Sequence, residues 1–493
     1  MTAALDAQRV RAKFPALSRS DAQAASDGRG YITLSSLSLP LSLCGAVYAE
    51  NAGGSQVLAS VAESISTYLL NTNVQMANYG LAHAAEERVA LGTNAAAVLV
   101  GAEKSDEVMI GQSATQLVFS LSLMIEHRVL QEREAGRETW QQGDEIIVSD
   151  ADHETNRGAW VRLAKRLGLT VKPWPVTKLN KDNNNPYEVA LDPGVLAGLV
   201  TPKTRLVAFT ACSNLLGAFT DISGSSKAVR AVAPEALVCV DCVAFAPHRR
   251  LKPRDWNVDV AFFSLYKTFG AHVGAMYVSP STKQRCLKQL NHFFLEGYPG
   301  MYPYQSSSVQ YELNHSIAAV ADYLISLGAE KDIQVDWNHV LARQDTGVGK
   351  DRSKLSRAQV EEHLSAAFGG IAQVEQELME VLVGHLASLS DKGVRIVGPT
   401  STSSQIRAPT ISFVVIDSST GSPIPNSAQH LHKALVDTAQ VGAQQGHMYA
   451  PKLVESLGLD LNDGVVRLSL VHYNTVDEAR RITGLLDQAL ASL

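Results

Sequence analysis

Cysteine is scarce in this chain, with five residues in 493: Cys44, Cys212, Cys239, Cys242 and Cys286. So few thiols, and an odd number of them, exclude a disulfide framework and favour a reducing compartment, so a cytoplasmic setting is expected. Cys239-x-x-Cys242 has redox spacing in form. No second pair accompanies it to hold zinc, and both residues fall at the end of a predicted buried strand. They read as two small apolar core residues. Basic tracts are also missing. The net charge of −6 gives no footprint for a nucleic-acid partner. Apolar runs of membrane-spanning length are absent as well. Ile32 to Val47 is Ser/Leu-rich, carries Pro40, and is too short and too hydroxyl-rich for a span, so no membrane partner is expected. It reads as a loop-like insertion. Met1 to Leu17 holds Arg9, Arg11 and Lys13 with no long apolar stretch behind them, so no signal peptide is expected. No internal repeat is present.

What is there is ordinary globular composition, 45% hydrophobic and 19% charged. The length exceeds what a single core supports, so two or more domains are expected. Apolar strand-like runs alternate with helical patterns from about residue 57 to 300. The strand runs are Glu145 to Val148, Arg205 to Phe209, Leu237 to Val240 and Val258 to Phe263. They are continuously apolar rather than alternating, as in a parallel sheet covered on both faces. Helical patterns such as Asn156 to Leu167 and Ser225 to Val232 lie between them, which gives an α/β fold. Beyond 316 the texture changes. Long helical stretches (Ser316 to Leu327, Glu361 to Ser388) precede strands such as Thr410 to Val415, a pattern of a smaller α+β domain. The expected organisation is an N-terminal segment 1–50, with its insertion at 32–47, a large domain 51–315 and a small domain 316–493. Asp345 to Ser356 reads as a polar surface insertion.

The chemistry centres on Lys267. It follows the apolar run to Phe263 and precedes Thr268-Phe269-Gly270-Ala271-His272-Val273-Gly274, whose glycines let backbone turn close to a ligand. An isolated lysine is usually a solvated surface residue. Here Asp241 closes an upstream strand, and the pair is what pyridoxal phosphate (PLP) needs. The lysine amine binds the cofactor's aldehyde, and the carboxylate keeps the pyridine nitrogen protonated so that the ring can act as an electron sink. Asp241 could also cap a helix starting at Cys242. His153, in Asp152-His153-Glu154-Thr155-Asn156, stands between a strand and a helix, where an imidazole can face a cofactor ring and shuttle protons. The bland alternative is a structural histidine. Gly111-Gln112-Ser113-Ala114-Thr115 opens a helix whose first amides, with the Thr115 hydroxyl, can cradle a phosphate, or form a simple N-cap. Arg467 lies in an apolar strand and must be paired, either with a substrate α-carboxylate or in a structural ion pair.

Together these residues resemble the class V aminotransferases, the cysteine desulfurase-like superfamily of PLP fold type I. The resemblance runs from about residue 9 to 490. It is carried by Val10 to Leu17, Glu50 to Gln56, Asp152 to Asn156, Ser213 to Gly217, Val240-Asp241, Ser264 to Lys267, Val466 to Ser469 and His472 to Thr475. In look it is nearest to fungal biosynthetic members, among them a decarboxylative aldolase of the ustiloxin pathway and a Mannich cyclase of the loline pathway. The resemblance implies a mainly parallel large-domain sheet with a smaller α+β C-terminal domain. Lys267 and His153 would be catalytic, with His153 stacked on the ring. Asp241 and Asn214 would contact the ring, while Ala114, Thr115, Ser264 and Tyr266 would hold the phosphate. Arg467 and Asn51 would bind substrate. Family members are homodimers that borrow a phosphate contact from the partner subunit, and Ser308 matches that place.

The departures direct the functional reading. Where desulfurases carry a cysteine in a Gly-His-His-Cys-Ala loop, this chain reads Gly446-His447-Met448-Tyr449-Ala450, and no cysteine lies beyond residue 286. A phenol cannot replace a thiolate as sulfur acceptor. Ala244 stands where the family places a glutamine against the ring oxygen, and Tyr266 replaces the usual histidine before the lysine. The expected activity is therefore lyase, decarboxylative or carbon–carbon bond-forming chemistry on an amino acid, in secondary-metabolite biosynthesis. Transamination or desulfurase-type activity is the alternative within the class. A catalytically inactive PLP-fold partner subunit is the alternative outside it.

Overall fold

The computed structural model describes residues 5–17, 46–180, 184–341, 351–438 and 441–493. The insertion expected at 32–47 therefore lies, up to residue 45, outside the described residues, as does the first half of the polar stretch from Asp345 to Ser356.

The larger sheet has seven strands. Their order is Val108–Gly111, Gly274–Val278, Val260–Ser264, Leu237–Asp241, Thr204–Thr210, Glu145–Ser149 and Thr170–Trp174. Gly274–Val278 runs antiparallel to both its neighbours, and the remaining pairings are parallel. The strands are apolar throughout because both faces are covered. Ile147, Val207, Phe209, Val238, Val240, Ala261 and Phe263 enter one core cluster. The alternate residues Ile146, Val148, Leu206, Ala208, Leu237, Cys239 and Phe262 enter the cluster on the opposite face. Side chains in a strand alternate between faces, so one continuous apolar run serves two cores. Each fully buried Val, Ile or Phe contributes about 1.5–3 kcal/mol to that packing. Cys239 and Cys242 are buried free thiols, as small core residues would be.

Helices Ala114–Glu134 and Thr155–Leu167 cover the second face through Leu117, Leu121, Met124, Trp160 and Leu163. Helices Gly80–Leu99 and Tyr311–Gly328 cover the first. Ile317, Val320, Ala321, Leu324 and Ile325, all beyond residue 315, belong to the core of the large sheet.

The second sheet is antiparallel, in the order Val394–Val397, Thr410–Val415, Val465–Ser469, Gln444–Gly446. Helix Arg357–Ser388 joins the two cores. Its first half contributes Val360, Leu364 and Ile371 to the large one, and its second half contributes Leu378, Leu382 and Leu386 to the small one. At 32 residues it spans about 48 Å, long enough to serve both. Among the described residues, no helix is long and apolar enough to cross a membrane.

Candidate active site

Parallel strands end on the same edge, so the residues that follow each one meet there. Five strands deliver the lining of a single pocket. Ser113, Ala114 and Thr115 follow Val108–Gly111, and His153 and Thr155 follow Glu145–Ser149. Thr210, Cys212 and Asn214 come from the end of Thr204–Thr210, and Asp241, Val243 and Ala244 from Leu237–Asp241. Ser264, Tyr266 and Lys267 come from Val260–Ser264. A second, roomier chamber of about 620 Å³ opens from it, sharing His153, Asn214, Tyr266 and Lys267 and adding Glu50, Gln444 to Tyr449, Asn462 and Arg467. That volume lies within the range of small-molecule sites.

Lys267 closes a short 3₁₀ turn, Leu265–Lys267, and is buried. Burial first, and repulsion from Arg467 second, lower its ammonium pKa from 10.5 to about 8, against attraction from Asp241 and Glu50. Asp241 is 4% exposed and accepts the Val243 amide N–H at 2.8 Å. Burial raises its pKa to about 6, and the Val243 hydrogen bond and the charge of Lys267 work against that rise. No helix starts at Cys242; the chain continues in turns, so the helix-cap reading of Asp241 fails. The buried carboxylate lines the pocket together with Lys267, whose opposite charge acts on it.

Asp152, beside His153, is fully buried. It accepts from the Asn156 side-chain amide at 2.8 Å and from the Ser149 hydroxyl. Burial drives its pKa to about 8, and the nearby charge of Asp241 adds to the rise, so at neutral pH Asp152 is largely a neutral acid. His153 is likewise neutral, because burial and then the charges of Lys267 and Arg467 depress its pKa to about 4. Its Nδ1 accepts the Thr155 amide N–H at 3.1 Å, which leaves the proton on Nε2.

Helix Ala114–Glu134 begins where sequence spacing puts it. The Ser113 hydroxyl caps it by accepting the Gln116 N–H at 3.1 Å. The Thr115 hydroxyl lies 2.9 Å from that of Thr155. The Tyr266 ring stacks on His272, with centroids 4.6 Å apart and planes 8° from parallel.

Arg467, 2% exposed, is spoken for. It donates to Glu50 Oε1 at 2.7 Å and to the Asn214 carbonyl at 3.0 Å, while its Nε has no partner. The structural ion pair is therefore real, with a carboxylate that sequence reasoning had not assigned. Asn214 donates through Nδ2 to the Met448 carbonyl at 2.8 Å and leaves a buried, unpartnered Oδ1.

Two expected site residues lie elsewhere. The Asn51 side chain is consumed within the fold, donating to the Ser469 carbonyl at 2.8 Å and accepting from the Tyr473 hydroxyl, and it lines neither cavity. It thus presents no free group to a substrate in the chamber, and the adjacent Glu50 faces the chamber in its place. Ser308 is exposed, 3.4 Å from the Tyr302 hydroxyl, and away from this chain's pocket. A contact made in a second subunit would have to stand clear in this way. Besides Glu50, sequence reading missed Asp152, Thr155 and Thr210. The signal for Thr155 and Thr210 was available, since each stands at a strand or helix end beside an assigned residue. Glu50 pairs with a residue 417 positions away, a distance no local pattern encodes.

The loop from Gln444 to Tyr449 is held against these residues. Met448 and Tyr449 both adopt left-handed backbone, with φ of 40° and 61°. Their carbonyls are fixed by Asn214 Nδ2 and by the Glu154 amide at 2.7 Å. Non-glycine residues hold such conformations only where their surroundings enforce them. The result sets the exposed Tyr449 ring 5.3 Å from that of His153. Cys212 lines the inner pocket, but burial pushes its thiol up to about 12, so it carries no thiolate at neutral pH.

These groups fit PLP. The pocket offers a buried amine of lowered pKa, a buried carboxylate in need of a cation, a capped helix start for a phosphate, and an unpartnered amide oxygen. Fold and site together define a PLP-dependent enzyme of fold type I. A model of the class-V aminotransferase family matches residues 47–301, and the chain belongs to that family. It is 33% identical to the aminotransferase-like protein FGM3 of Gibberella zeae over 450 residues, covering 90% of this chain and 94% of that one. It is 28% identical to the cysteine desulfurase-like protein ustD of Aspergillus flavus, over 78% of this chain and 73% of that protein. Its fold matches the apo cysteine desulfurase of Thermococcus onnurineus with a TM-score of 0.68 at 18% identity, covering 91% and 95% of the two chains.

Proposed function

We propose that this enzyme binds an amino acid at Lys267 and breaks or forms a bond at its Cα or Cβ, as a lyase, decarboxylative or carbon–carbon bond-forming catalyst in a biosynthetic pathway. The observation that carries the reading is the wall of the outer chamber. Its loop from Gln444 to Tyr449 presents Met448 and Tyr449 and no thiol, and the one cysteine on the inner pocket is locked in its protonated form. Sulfur transfer has no acceptor there. The likeness to fungal biosynthetic members and the two fungal relatives support the pathway setting.

PLP, when bound, supplies an electron sink for negative charge developing at the substrate carbon. Lys267 and Asp241 would hold it with Asn214, and the helix start at Ala114 and Thr115, with Ser264 and Tyr266, would take its phosphate. Lys267, with an amine pKa near the working pH, can carry a proton to and from the substrate carbon at Nζ. His153, kept neutral, offers an Nε2–H donor without adding positive charge near Lys267. Arg467 would bind the α-carboxylate beside Asn214. Ser308 would serve a second subunit's site in a homodimer.

The test is a panel of amino acids incubated with the purified, PLP-loaded protein, followed by visible absorption and by mass spectrometry of products. New carbon skeletons, decarboxylation or cleavage products are expected. Alanine with persulfide would overturn the reading in favour of desulfuration. No spectral response to any amino acid would favour an inactive partner subunit. Lys267→Ala should abolish the visible band of the loaded protein while leaving its fold intact by circular dichroism.

A further inference from the structure

The outer chamber holds a charge balance that a simple amino acid would upset. Arg467 enters it already neutralised by Glu50. Three buried atoms of the residues around it have no partner: Glu50 Oε2, Asn214 Oδ1 and Arg467 Nε. Two of these are acceptors and one is a donor, and all three residues line the chamber. A substrate α-carboxylate that reached Arg467 would set two carboxylates against one guanidinium. One negative charge would then stay buried without a counter-ion, which is costly. The other groups acting on Glu50 do not supply the missing cation. Under the reading above Lys267 must be neutral to take a proton from the substrate carbon, burial holds His153 in its neutral form, and His432 stands outside the chamber wall with its Nε2 3.2 Å from the Ala443 carbonyl. The ionisable groups that complete the chamber wall are Tyr266, His447 and Tyr449, beside the amides Gln444, Gln445 and Asn462.

We infer that the substrate carries its own cation: an amino acid whose side chain ends in an amine or guanidinium, with its α-carboxylate on Arg467 and its side-chain N–H donors on Glu50 Oε2. The arrangement restores neutrality, since two carboxylates meet two cations. It also gives Glu50 Oε2 and Arg467 Nε partners of the right sign, while Asn214 Oδ1 is left to the cofactor. Charge-assisted hydrogen bonds of this kind are the strong ones. This inference rests on the amino-acid reading above and narrows it to dibasic substrates.

The experiment is calorimetric titration of the PLP-loaded protein with lysine, ornithine and arginine, and with norleucine and citrulline as neutral analogues of similar length. The cationic members should bind at least about tenfold more tightly than their neutral counterparts, a difference of about 1.4 kcal/mol. Glu50→Gln keeps the shape and removes the charge, and it should erase that preference by weakening the cationic members. The comparison within the parent protein stands even if the variant does not fold. Equal or tighter binding of norleucine and citrulline would overturn the inference and leave the amino-acid reading standing. So would a preference that survives in Glu50→Gln. If none of the five binds, the amino-acid reading fails and this inference falls with it.

Discussion

A lysine ammonium that folding carries out of water weakens the fold that holds it, and Lys267 is such a group. Its folded pKa of about 8 lies below its value of 10.5 in the unfolded chain. The unfolded chain therefore binds more protons between those two values, and stability rises with pH across that window. Below pH 8 the penalty is fully present, and a shift of this size corresponds to about 3 kcal/mol. Lys267→Met, of similar length and apolar, should thus make the cofactor-free protein more stable than the parent by about that amount at pH 7. The advantage should shrink as pH rises from 8 toward 10.5. Denaturant unfolding of both proteins at pH 7 and pH 10 reads this directly, and a gain that does not change with pH would mean the amine is solvated. The same group explains why Asp241 matters before any cofactor binds, since its carboxylate favours the ammonium that burial and Arg467 oppose. Arg467→Ala removes the charge that Glu50 and a substrate carboxylate would share. Amino-acid affinity should fall by roughly 2–5 kcal/mol, measured by calorimetry. An unchanged affinity would reduce Arg467 to a structural role.

Strand ends build the pocket, and one glycine sets how close two of the elements come. Gly274 starts the antiparallel strand Gly274–Val278 and packs against the beginning of helix Ala114–Glu134. A Cβ there would sit 2.6 Å from the Ser113 carbonyl carbon and 2.7 Å from the Ala114 amide nitrogen. Backbone cannot swing aside as a side chain can, so Gly274→Ala should push the helix start away, at a cost of about 1–3 kcal/mol. If that helix start holds the cofactor phosphate, PLP affinity should fall as well. Thermal unfolding and equilibrium dialysis measure the two effects, and an unaltered affinity would place the phosphate elsewhere. Gly274 also marks the limit of what the chain reveals before it is folded. Its sequence suggests a backbone turning close to a ligand, and the structure shows it close to the helix start at Ser113 and Ala114. The direction of its strand was not legible, because an apolar run such as Ala275 to Val278 has the same pattern whichever way it points. The parallel strands were legible for the opposite reason. Their alternation with the helices Thr155–Leu167 and Ile222–Val232 admits few other topologies. Lys267, Asp241, His153 and Thr115 could be placed because each follows directly on such a strand or opens such a helix. Asn51 could not be told from Glu50, since neighbours in a turn point in different directions and only the folded loop decides which one meets the cavity.

The two cores meet at the site, and Arg407 is the clamp between them. It is completely buried and ion-pairs with no carboxylate among the described residues. Burial lowers its pKa to about 10. Its guanidinium donates to carbonyls on both sides of the junction: to Thr410 at 2.6 Å and to Pro399 on the small-sheet side, and to Leu216 at 3.4 Å on the loop that carries Asn214. The Ser412 hydroxyl adds a bond to the Leu215 carbonyl at 2.7 Å. The Asn214 carbonyl in turn accepts from Arg467 on the small sheet. Asn214 thus keeps its place through the small sheet, whereas Lys267, Asp241 and Thr115 keep theirs through the large one. The cavity accordingly divides by core. Apart from Asn214, the inner pocket is built by the large sheet, and the outer chamber needs both. Arg407→Met leaves those carbonyls without a donor, and stability should fall by about 3 kcal/mol or more. The functional consequence separates along the same line. PLP content should stay near the parent level, because Lys267, Asp241 and the helix start at Ala114 are fixed by the large core. KM for the amino acid should rise, because Asn214 and Arg467 lose their common anchor. Cofactor content by absorbance and KM from steady-state rates, taken on the same preparation below its unfolding temperature, distinguish this from general loosening. If cofactor and substrate affinity fall together, the junction is not what orders the outer chamber.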